Sequence, residues 1–210
     1  MTTPVLTGLL LVASYFLGGI PTGYIIGRVK GIDIRKFGSG NPGTANVYRT
    51  LGKGPGTITF CVDFLKGFIP AYMAIKLFYI GAGHWWIPVA AGGLAIAGHI
   101  WTPFLRFKGG KGVATAAGVF MALLPWPTAG AFVVFIFAVA ITHHISVGSM
   151  SASVALPVLC FFLSRTPAQQ PFNIMAIVVC AVIFYTHIGN IRRILQGREL
   201  SFKHEEKKTH

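Results

Sequence analysis

Long stretches of the chain carry no charged residue. Four such windows cover residues 1–27, 77–105, 112–164 and 166–191, and apolar side chains dominate each of them. A helix needs about 20 mostly apolar residues to cross the hydrocarbon core of a bilayer. The windows lack the strict alternation of a membrane β-strand, so they predict membrane-spanning helices and not a barrel.

Breaks in the apolar runs divide these windows into seven predicted helices. Pro125 and Pro127 interrupt the longest window, because proline cannot continue a helix, and the polar stretch 142–146 interrupts it again. The segment 112–124 is short for a bilayer crossing, so we expect a re-entrant or strongly tilted helix there. The predicted helices cover residues 4–27, 54–79, 86–103, 112–124, 128–142, 149–164 and 172–191.

The composition supports an all-α integral membrane protein and excludes other classes. Hydrophobic residues make up 53% of the 210 residues and charged residues 11%, against about 25% charged in soluble domains. That apolar content excludes disorder, and three scattered cysteines exclude a disulfide scaffold. The N-terminus lacks a basic region and a cleavage site, so we expect a retained first helix and not a signal peptide.

Basic residues concentrate in segments that seven crossings would place on one side of the membrane. Fifteen of the 18 lysines and arginines lie within 28–53, 104–111 and the segment after residue 191. Cytoplasmic loops carry such an excess of positive charge. The sequence therefore predicts an external N-terminus, a cytoplasmic C-terminus, one membrane domain over residues 1–200 and a charged cytoplasmic tail over 201–210.

The first basic loop is rich in glycine and in neutral hydrogen-bonding side chains. Glycines let a backbone turn sharply and present successive N–H groups to an anion. Arg49 adds a forked cation suited to phosphate. The same composition is also typical of a flexible turn between helices. The candidate binding residues in this loop are Gly38, Ser39, Gly40, Asn41, Gly43, Asn46 and Arg49.

The second basic loop places lysine and glycine just before a predicted helix. Gly110 and Lys111 precede the segment that begins at residue 112, and a helix N-terminus favours an anion. The loop is not a nucleotide-binding P-loop, because Gly112 follows the lysine where serine or threonine is required. His99, at the end of the preceding predicted helix, fits either a functional residue or a structural cap.

The third polar segment lies at the cytoplasmic end of the last predicted helix. His187 and Asn190 are three residues apart, so they share one helix face, and Arg193 continues that face. The structural alternative is that these polar side chains only extend from the apolar region towards the lipid headgroups. Asp63 and Lys66 form a further pair inside an apolar segment, for which we favour a scaffolding role.

The shortage of acidic residues limits the chemistry of such a site. Only five aspartates and glutamates occur in the chain, which disfavours two-metal phosphoryl transfer. His143 and His144 have no cysteine or carboxylate neighbours, so a metal site there is not expected. We expect no metal, no cofactor and no nucleic-acid partner. A cationic pocket at headgroup level instead suits a phosphorylated, amphipathic substrate.

Three segments together resemble the motifs of the bacterial membrane glycerol-3-phosphate acyltransferases that use acyl phosphate, the PlsY family. The similar segments are 38–49, 98–115 and 186–199, and they occur in the family's order. One departure is that Thr44-Ala45 stands where the family usually has alanine followed by threonine. The resemblance spans about residues 10 to 200.

The resemblance implies acyl transfer from acyl phosphate to the sn-1 hydroxyl of glycerol 3-phosphate, the first acylation step of phospholipid synthesis. The products would be lysophosphatidate and inorganic phosphate, formed in the bacterial inner membrane with the site on its cytoplasmic side. The implied mechanism is metal-free and substrate-assisted, without an acyl-enzyme. A candidate partner is the enzyme that supplies acyl phosphate.

The resemblance also implies roles for individual residues. The group expected to bind glycerol 3-phosphate or orient its hydroxyl is Ser39, Arg49, Lys111, His187 and Asn190. The group expected to form the phosphate and carbonyl cradle is Gly38, Gly40, Asn41, Gly43 and Gly110, with Asn46 nearby. His99 would be essential or structural.

Two alternatives come from other functional classes. A transporter of a small organic phosphate would place polar groups near the bilayer midplane, often in two repeated halves, and no internal repeat is visible. A structural membrane protein would use its basic loops only to bind anionic lipid.

Overall fold

The computed structural model describes residues 3–78, 84–164 and 166–202, and in these ranges every regular element is helical. Short 3-10 turns occur at Ile34–Lys36, Pro103–Leu105 and Pro167–Gln169. Ten α-helices account for the remaining regular structure of the described ranges: α1 Thr3–Gly19, α2 Thr22–Val29, α3 Thr44–Leu51, α4 Lys53–Leu77, α5 Trp86–Ile100, α6 Val113–Leu123, α7 Pro125–Thr142, α8 Ile145–Leu163, α9 Gln170–Thr186 and α10 Ile188–Leu195.

Four helical segments of the described ranges are long and apolar enough to cross a membrane. They are α4, α7, α8 and the segment Trp86–Leu105, which includes α5 and the turn after it. The bent pairs α1–α2 and α9–α10 raise the number to six if each is one span. Helix α6 is apolar but has only 11 residues. These lengths confirm a multi-pass helical architecture.

Two predicted single helices are broken in the structure. The predicted helix 4–27 bends by 42° between α1 and α2, because Pro21 cannot donate a backbone hydrogen bond there. At this break the Ile20 carbonyl accepts a 2.8 Å hydrogen bond from Lys66 Nζ. The predicted helix 172–191 bends by 57° at His187, where the backbone N–H is shared between the carbonyls of Ile183 and Phe184.

Helix boundaries differ from the sequence prediction in three other places. The Pro125–Pro127 run forms the first turn of α7 and does not precede it, because proline is tolerated where helix N–H groups have no partner. Helix α8 starts four residues before the predicted position, directly after His143 in a left-handed conformation. The short helix α3 lies within a segment predicted to be a loop.

Small residues allow two helix pairs to pack with their backbones close together. A methyl group on Gly67 of α4 would collide with the Thr115 carbonyl of α6, and one on Gly118 of α6 would collide with the Phe64 carbonyl of α4. Gly18 and Gly98 play the same reciprocal part between α1 and α5. Such small-residue contacts drive helix association where lipid replaces water.

The exposed surface is apolar along the long helices. On α7, for example, Val133, Ile136, Phe137 and Ile141 are each at least half exposed. The interior contains a packed cluster that includes Phe120 at 0% and Leu124 at 1% exposure. Apolar residues both inside and outside indicate a surface that faces hydrocarbon and not water.

Candidate active site

The glycine-rich loop 38–43 is held in shape by one buried amide side chain. Asn46, 1% exposed, accepts a 2.8 Å bond from the Ser39 N–H and donates bonds of 3.1 and 3.0 Å to the carbonyls of Ile34 and Phe37. Gly38 has a φ of +56°, and a side chain there would collide with the Asn46 amide. The loop is therefore pre-formed and directs Ser39 towards the helix bundle.

The second loop packs directly against the first. Asn41 donates a 3.4 Å bond to the Gly109 carbonyl and accepts a 2.8 Å bond from the Gly43 N–H. The Gly110 N–H donates to the His99 carbonyl at 3.0 Å. A side chain on Gly110 would collide with the imidazole of His99, so only glycine lets these segments approach.

Lys111 joins the second loop to the third segment. Its ammonium donates a hydrogen bond to Oδ1 of Asn190, and its carbonyl accepts a 3.1 Å bond from the Thr186 hydroxyl. The Asn190 amide in turn donates a 2.6 Å bond to Glu199. Three segments that are far apart in sequence thus share one hydrogen-bond network.

Glu199 is the acceptor at the centre of this network. Its Oε1 accepts 2.7 Å and 2.6 Å bonds from Ser146 and Asn190, and its Oε2 pairs with Arg193 Nε at 2.8 Å. Burial alone would raise the pKa of Glu199, but the bonds from Asn190, Ser146 and Arg193 outweigh it and lower the pKa. The side chain is therefore a carboxylate at neutral pH.

Lys111 has an unusual protonation equilibrium for a lysine. Its pKa is lowered to about 8, chiefly because burial disfavours the ammonium; the Glu199 charge opposes this shift, and Arg193 and Arg49 add to it. The ammonium is consequently charged at neutral pH and loses its charge in mildly alkaline solution.

Arg49 is held by the end of the described chain. Its Nε donates to the Ser201 carbonyl at 3.2 Å, and one terminal nitrogen donates to the Leu200 carbonyl at 3.3 Å. Residues 198–202, which we call the C-terminal strap, continue to the end of α7, where the Phe202 N–H donates to the His143 carbonyl at 3.0 Å. The strap thus links α3, α7 and α10 beside the site.

His187 is buried at 2% exposure between α9 and α10. Its Nδ1 lies 2.8 Å from the Ile183 carbonyl, and a carbonyl oxygen can only accept. We therefore assign the neutral ring a proton on Nδ1, which leaves Nε2 as the acceptor.

A second buried polar cluster lies beside the first two loops. Asp63 pairs with Lys66 at 2.8 Å and accepts a 2.9 Å bond from the Thr22 hydroxyl. His99 lies 3.9 Å from the same carboxylate oxygen. This cluster links α2, α4 and α5 where α1 and α2 are broken apart.

One cavity of about 390 Å³ is lined by residues of all three polar segments and by Asp63 and His99. At one end it is polar, and from there it continues between α6, α7, α8 and α9 along mainly apolar side chains. Gly38, Gly40 and Gly110 are not among its lining residues in the described structure. The predicted site residues that line it are Ser39, Asn41, Gly43, Asn46, Arg49, His99, Lys111, His187 and Asn190.

Sequence reasoning missed three residues of this arrangement. Thr44 lines the cavity, and within the described structure its buried hydroxyl has no hydrogen-bond partner. Ser146 lines it as well, although a serine at the start of a membrane helix is most often a cap or a helix-packing contact. Glu199 ends the third segment that resembles the family, but its role needed the tertiary contacts. No three histidine, cysteine or acidic side chains of the described residues are grouped as a metal site would require.

Comparisons with known proteins agree on one family. The family model for glycerol-3-phosphate acyltransferases matches residues 8–197. The chain is 43% identical over 193 residues to a glycerol-3-phosphate acyltransferase of Trichlorobacter lovleyi, covering 92% of this chain and 96% of that protein. It is 42% identical to one of Aquifex aeolicus, covering 92% of this chain and 97% of that protein.

Two solved structures have the same fold. Both are crystal structures of PlsY, an integral membrane glycerol 3-phosphate acyltransferase, one in a glycerol 3-phosphate form and one in a lysophosphatidic acid form. Each is 39% identical to this chain and covers 93% of it and 95% of its own chain, with TM-scores of 0.87 and 0.84 respectively.

Proposed function

The chain belongs to the glycerol-3-phosphate acyltransferase family, and on that premise we propose that its acyl donor is an acyl phosphate. The acyl group passes to the sn-1 hydroxyl of glycerol 3-phosphate, giving lysophosphatidate and inorganic phosphate. The observation that carries this proposal is one cavity with a cationic polar end and an apolar interior. Such a cavity suits a donor that is phosphate at one end and hydrocarbon at the other.

Lys111, Arg49 and loop 38–43 bind the phosphate of glycerol 3-phosphate in this proposal. Both cations line the cavity, and an ammonium beside a guanidinium favours a dianion. Arg49 uses two of its five N–H donors on the strap, which leaves donors for a phosphate oxygen. Ser39 and the unpartnered hydroxyl of Thr44 add neutral donors at the same end.

His187 and Asn190 orient the attacking hydroxyl and the lysine. With its proton on Nδ1, His187 offers Nε2 to the substrate O–H. The Asn190 amide connects Lys111 to Glu199, so we assign it a positioning role towards the ammonium. The side-chain amides of Asn46 and Asn41 form hydrogen bonds with loop backbone atoms. We therefore assign these two residues to shaping the cradle.

The chemical step needs no covalent acyl-enzyme. The sn-1 oxygen attacks the acyl carbonyl carbon, the bond from that carbon to the phosphate oxygen breaks, and the hydroxyl proton goes to the departing phosphate. Because Nδ1 of His187 bonds a backbone carbonyl and not a carboxylate, the residue lacks the acidic partner of a Ser-His-Asp relay. Position and charge stabilisation therefore supply the rate enhancement.

We propose seven crossings with the site on the cytoplasmic side. Each of α4 to α9 has one end near the site, and this is alternately the first and the last turn, so successive helices run in opposite directions. Helices α1 and α2 together make the first crossing. In this arrangement α6 is a short crossing. The three basic segments then lie on one side of the membrane, which the positive-inside rule assigns to the cytoplasm of a bacterial cell. The N-terminus then lies outside.

Phosphate release by the purified protein in detergent tests the donor. With glycerol 3-phosphate, palmitoyl phosphate and a metal chelator, we expect inorganic phosphate and lysophosphatidate in equal amounts. Lys111→Ala should lower kcat/KM about 100-fold, the scale of a lost charge-stabilising contact. Lys108→Ala, an exposed lysine of the same loop, is the matched control and should retain activity. Turnover with acyl-coenzyme A but not with acyl phosphate would contradict the proposed donor.

A transport function is the rejected alternative. It would give uptake of glycerol 3-phosphate into sealed vesicles without acyl transfer, and the family to which the chain belongs is enzymatic. The enzyme that supplies acyl phosphate remains a predicted partner, which co-purification from native membranes would test.

A further inference from the structure

The apolar part of the cavity ends at one level of the helix bundle. On each of helices α6 to α9, which line this part, the lining residue farthest from the polar end is buried. We call this group the cavity floor: Phe120 of α6, Thr128 of α7, Leu156 of α8 and Ala176 of α9.

Tightly packed side chains lie beyond the floor. Leu124, Cys160 and Phe172 lie farther from the polar end than the floor residues, with exposures of 1%, 0% and 2%. They belong to the same packed cluster as Phe120, Leu156 and Ala176. A flexible chain entering from the polar end therefore meets close-packed protein at this level, where extra atoms cost free energy.

The distance from the polar end to the floor follows from helix geometry. Ser146 and Leu156 are ten residues apart on α8, and His187, directly after α9, is eleven residues from Ala176. At 1.5 Å per residue, both spacings give a depth of about 15 Å. The space is thus deep enough for a hydrocarbon tail, and it has a defined end.

We infer that the cavity floor of Phe120, Thr128, Leu156 and Ala176 sets the longest acyl chain that the enzyme transfers efficiently. This inference rests on the proposed function, because it takes the cavity to hold the donor's hydrocarbon tail. Chains that end above the floor gain burial with each added methylene, and longer chains must bend, displace the packed residues or leave their last carbons outside. Each methylene of lost burial corresponds to about fourfold in kcat/KM.

Ala176→Phe tests the floor by filling its smallest position. Because an extended lauroyl chain is already about as long as the cavity is deep, we expect kcat/KM for lauroyl and palmitoyl phosphate to fall at least tenfold relative to octanoyl phosphate. The matched control is Ile177→Phe, which puts the ring at the neighbouring position, where the wild-type side chain is 61% exposed. It should leave the order of the three donors unchanged.

A second substitution covers the case in which Ala176→Phe does not fold. Ser153 lines the cavity one turn nearer the polar end than Leu156, so Ser153→Leu fills existing space. The longest acyl chain that Ser153→Leu transfers efficiently should be shorter than the longest chain that Ala176→Phe transfers efficiently. Val154→Phe, 46% exposed on the same helix, is its control.

The donor profiles decide the outcome. A folded Ala176→Phe or Ser153→Leu enzyme with the wild-type ratio of palmitoyl to octanoyl transfer would overturn the assigned floor. Wild-type protein that transfers no acyl group from any of the three phosphates would instead overturn the proposed function. A shift in cutoff with both substitutions, and with neither control, would support the inference.

Discussion

Individual side chains of the site are committed to the protein as much as to a substrate. Asn46 spends its whole amide on loop backbone, and Asn190 connects Lys111 to Glu199. Such fixed partners hold donors in place before the substrate arrives, which lowers the reorganisation needed during reaction. The charge state of Lys111 is the most testable consequence at this scale.

The pH profile should report Lys111. Because its lowered pKa of about 8 lies above neutral pH, the ammonium is present below pH 8 and is lost as the pH rises through that value. A phosphate monoester becomes a dianion above about pH 6. We therefore expect kcat/KM for glycerol 3-phosphate to be highest between about pH 6 and 8.

Lys111→Arg is the comparison that identifies the alkaline limb. An arginine stays protonated throughout the mildly alkaline range, so the fall above pH 8 should move to higher pH in this variant. The measurement is initial rate against pH with palmitoyl phosphate saturating. An alkaline limb that stays at pH 8 would assign the titration to another group.

A short segment beside the site joins helices that are far apart along the chain. The C-terminal strap contacts Arg49 of α3 and His143 of α7. Through Glu199 it also bonds Ser146 of α8 and Arg193 of α10. The strap therefore couples the geometry of the third segment to that of the first loop.

Ser146→Ala should weaken this coupling. It removes one hydrogen bond to a buried carboxylate, a contribution of about 1.5–3 kcal/mol. We expect an approximately tenfold lower kcat/KM for glycerol 3-phosphate, mainly through KM, because Glu199 then holds Asn190 less firmly. Steady-state kinetics with both substrates varied measures this split.

Ser14→Ala is the matched control for Ser146→Ala. Ser14 is equally buried, but its hydroxyl bonds the Leu10 carbonyl within its own helix, far from the site. It should leave both kinetic constants near wild type. Equal effects of the two substitutions would mean that Ser146 acts only on general stability.

The whole molecule places its polar groups at one end of a bundle with an apolar surface. In the proposed topology the soluble substrate reaches the site from the cytoplasm, and the tail of the acyl donor remains within the protein at membrane depth. This sidedness follows from charge asymmetry and helix alternation.

Cysteine labelling tests the sidedness. In a background that lacks Cys61, Cys160 and Cys180, we expect Lys36→Cys and Lys108→Cys to react with an impermeant maleimide only from the cytoplasmic side. Thr166→Cys, in the connection between α8 and α9, should react only from outside. Labelling of Lys36→Cys and Lys108→Cys from opposite sides would refute a single cytoplasmic site.

The sequence by itself determined the helical membrane architecture, the three polar segments and the family. Charge-free windows and glycine-rich motifs are local patterns, so no tertiary contact was needed to find them. It also placed the ends of the long helices within a few residues, except where Pro21 and His187 break a span, and it missed the short helix α3.

Only the tertiary structure decided which polar groups act together. The bonds from Ser146 and Asn190 to Glu199 join residues up to 53 positions apart, and no periodicity encodes such a contact. The same holds for the cavity floor, because four helices must pack before Phe120, Thr128, Leu156 and Ala176 can end one cavity. Local patterns fix each helix, whereas the space between helices depends on how all their side chains pack.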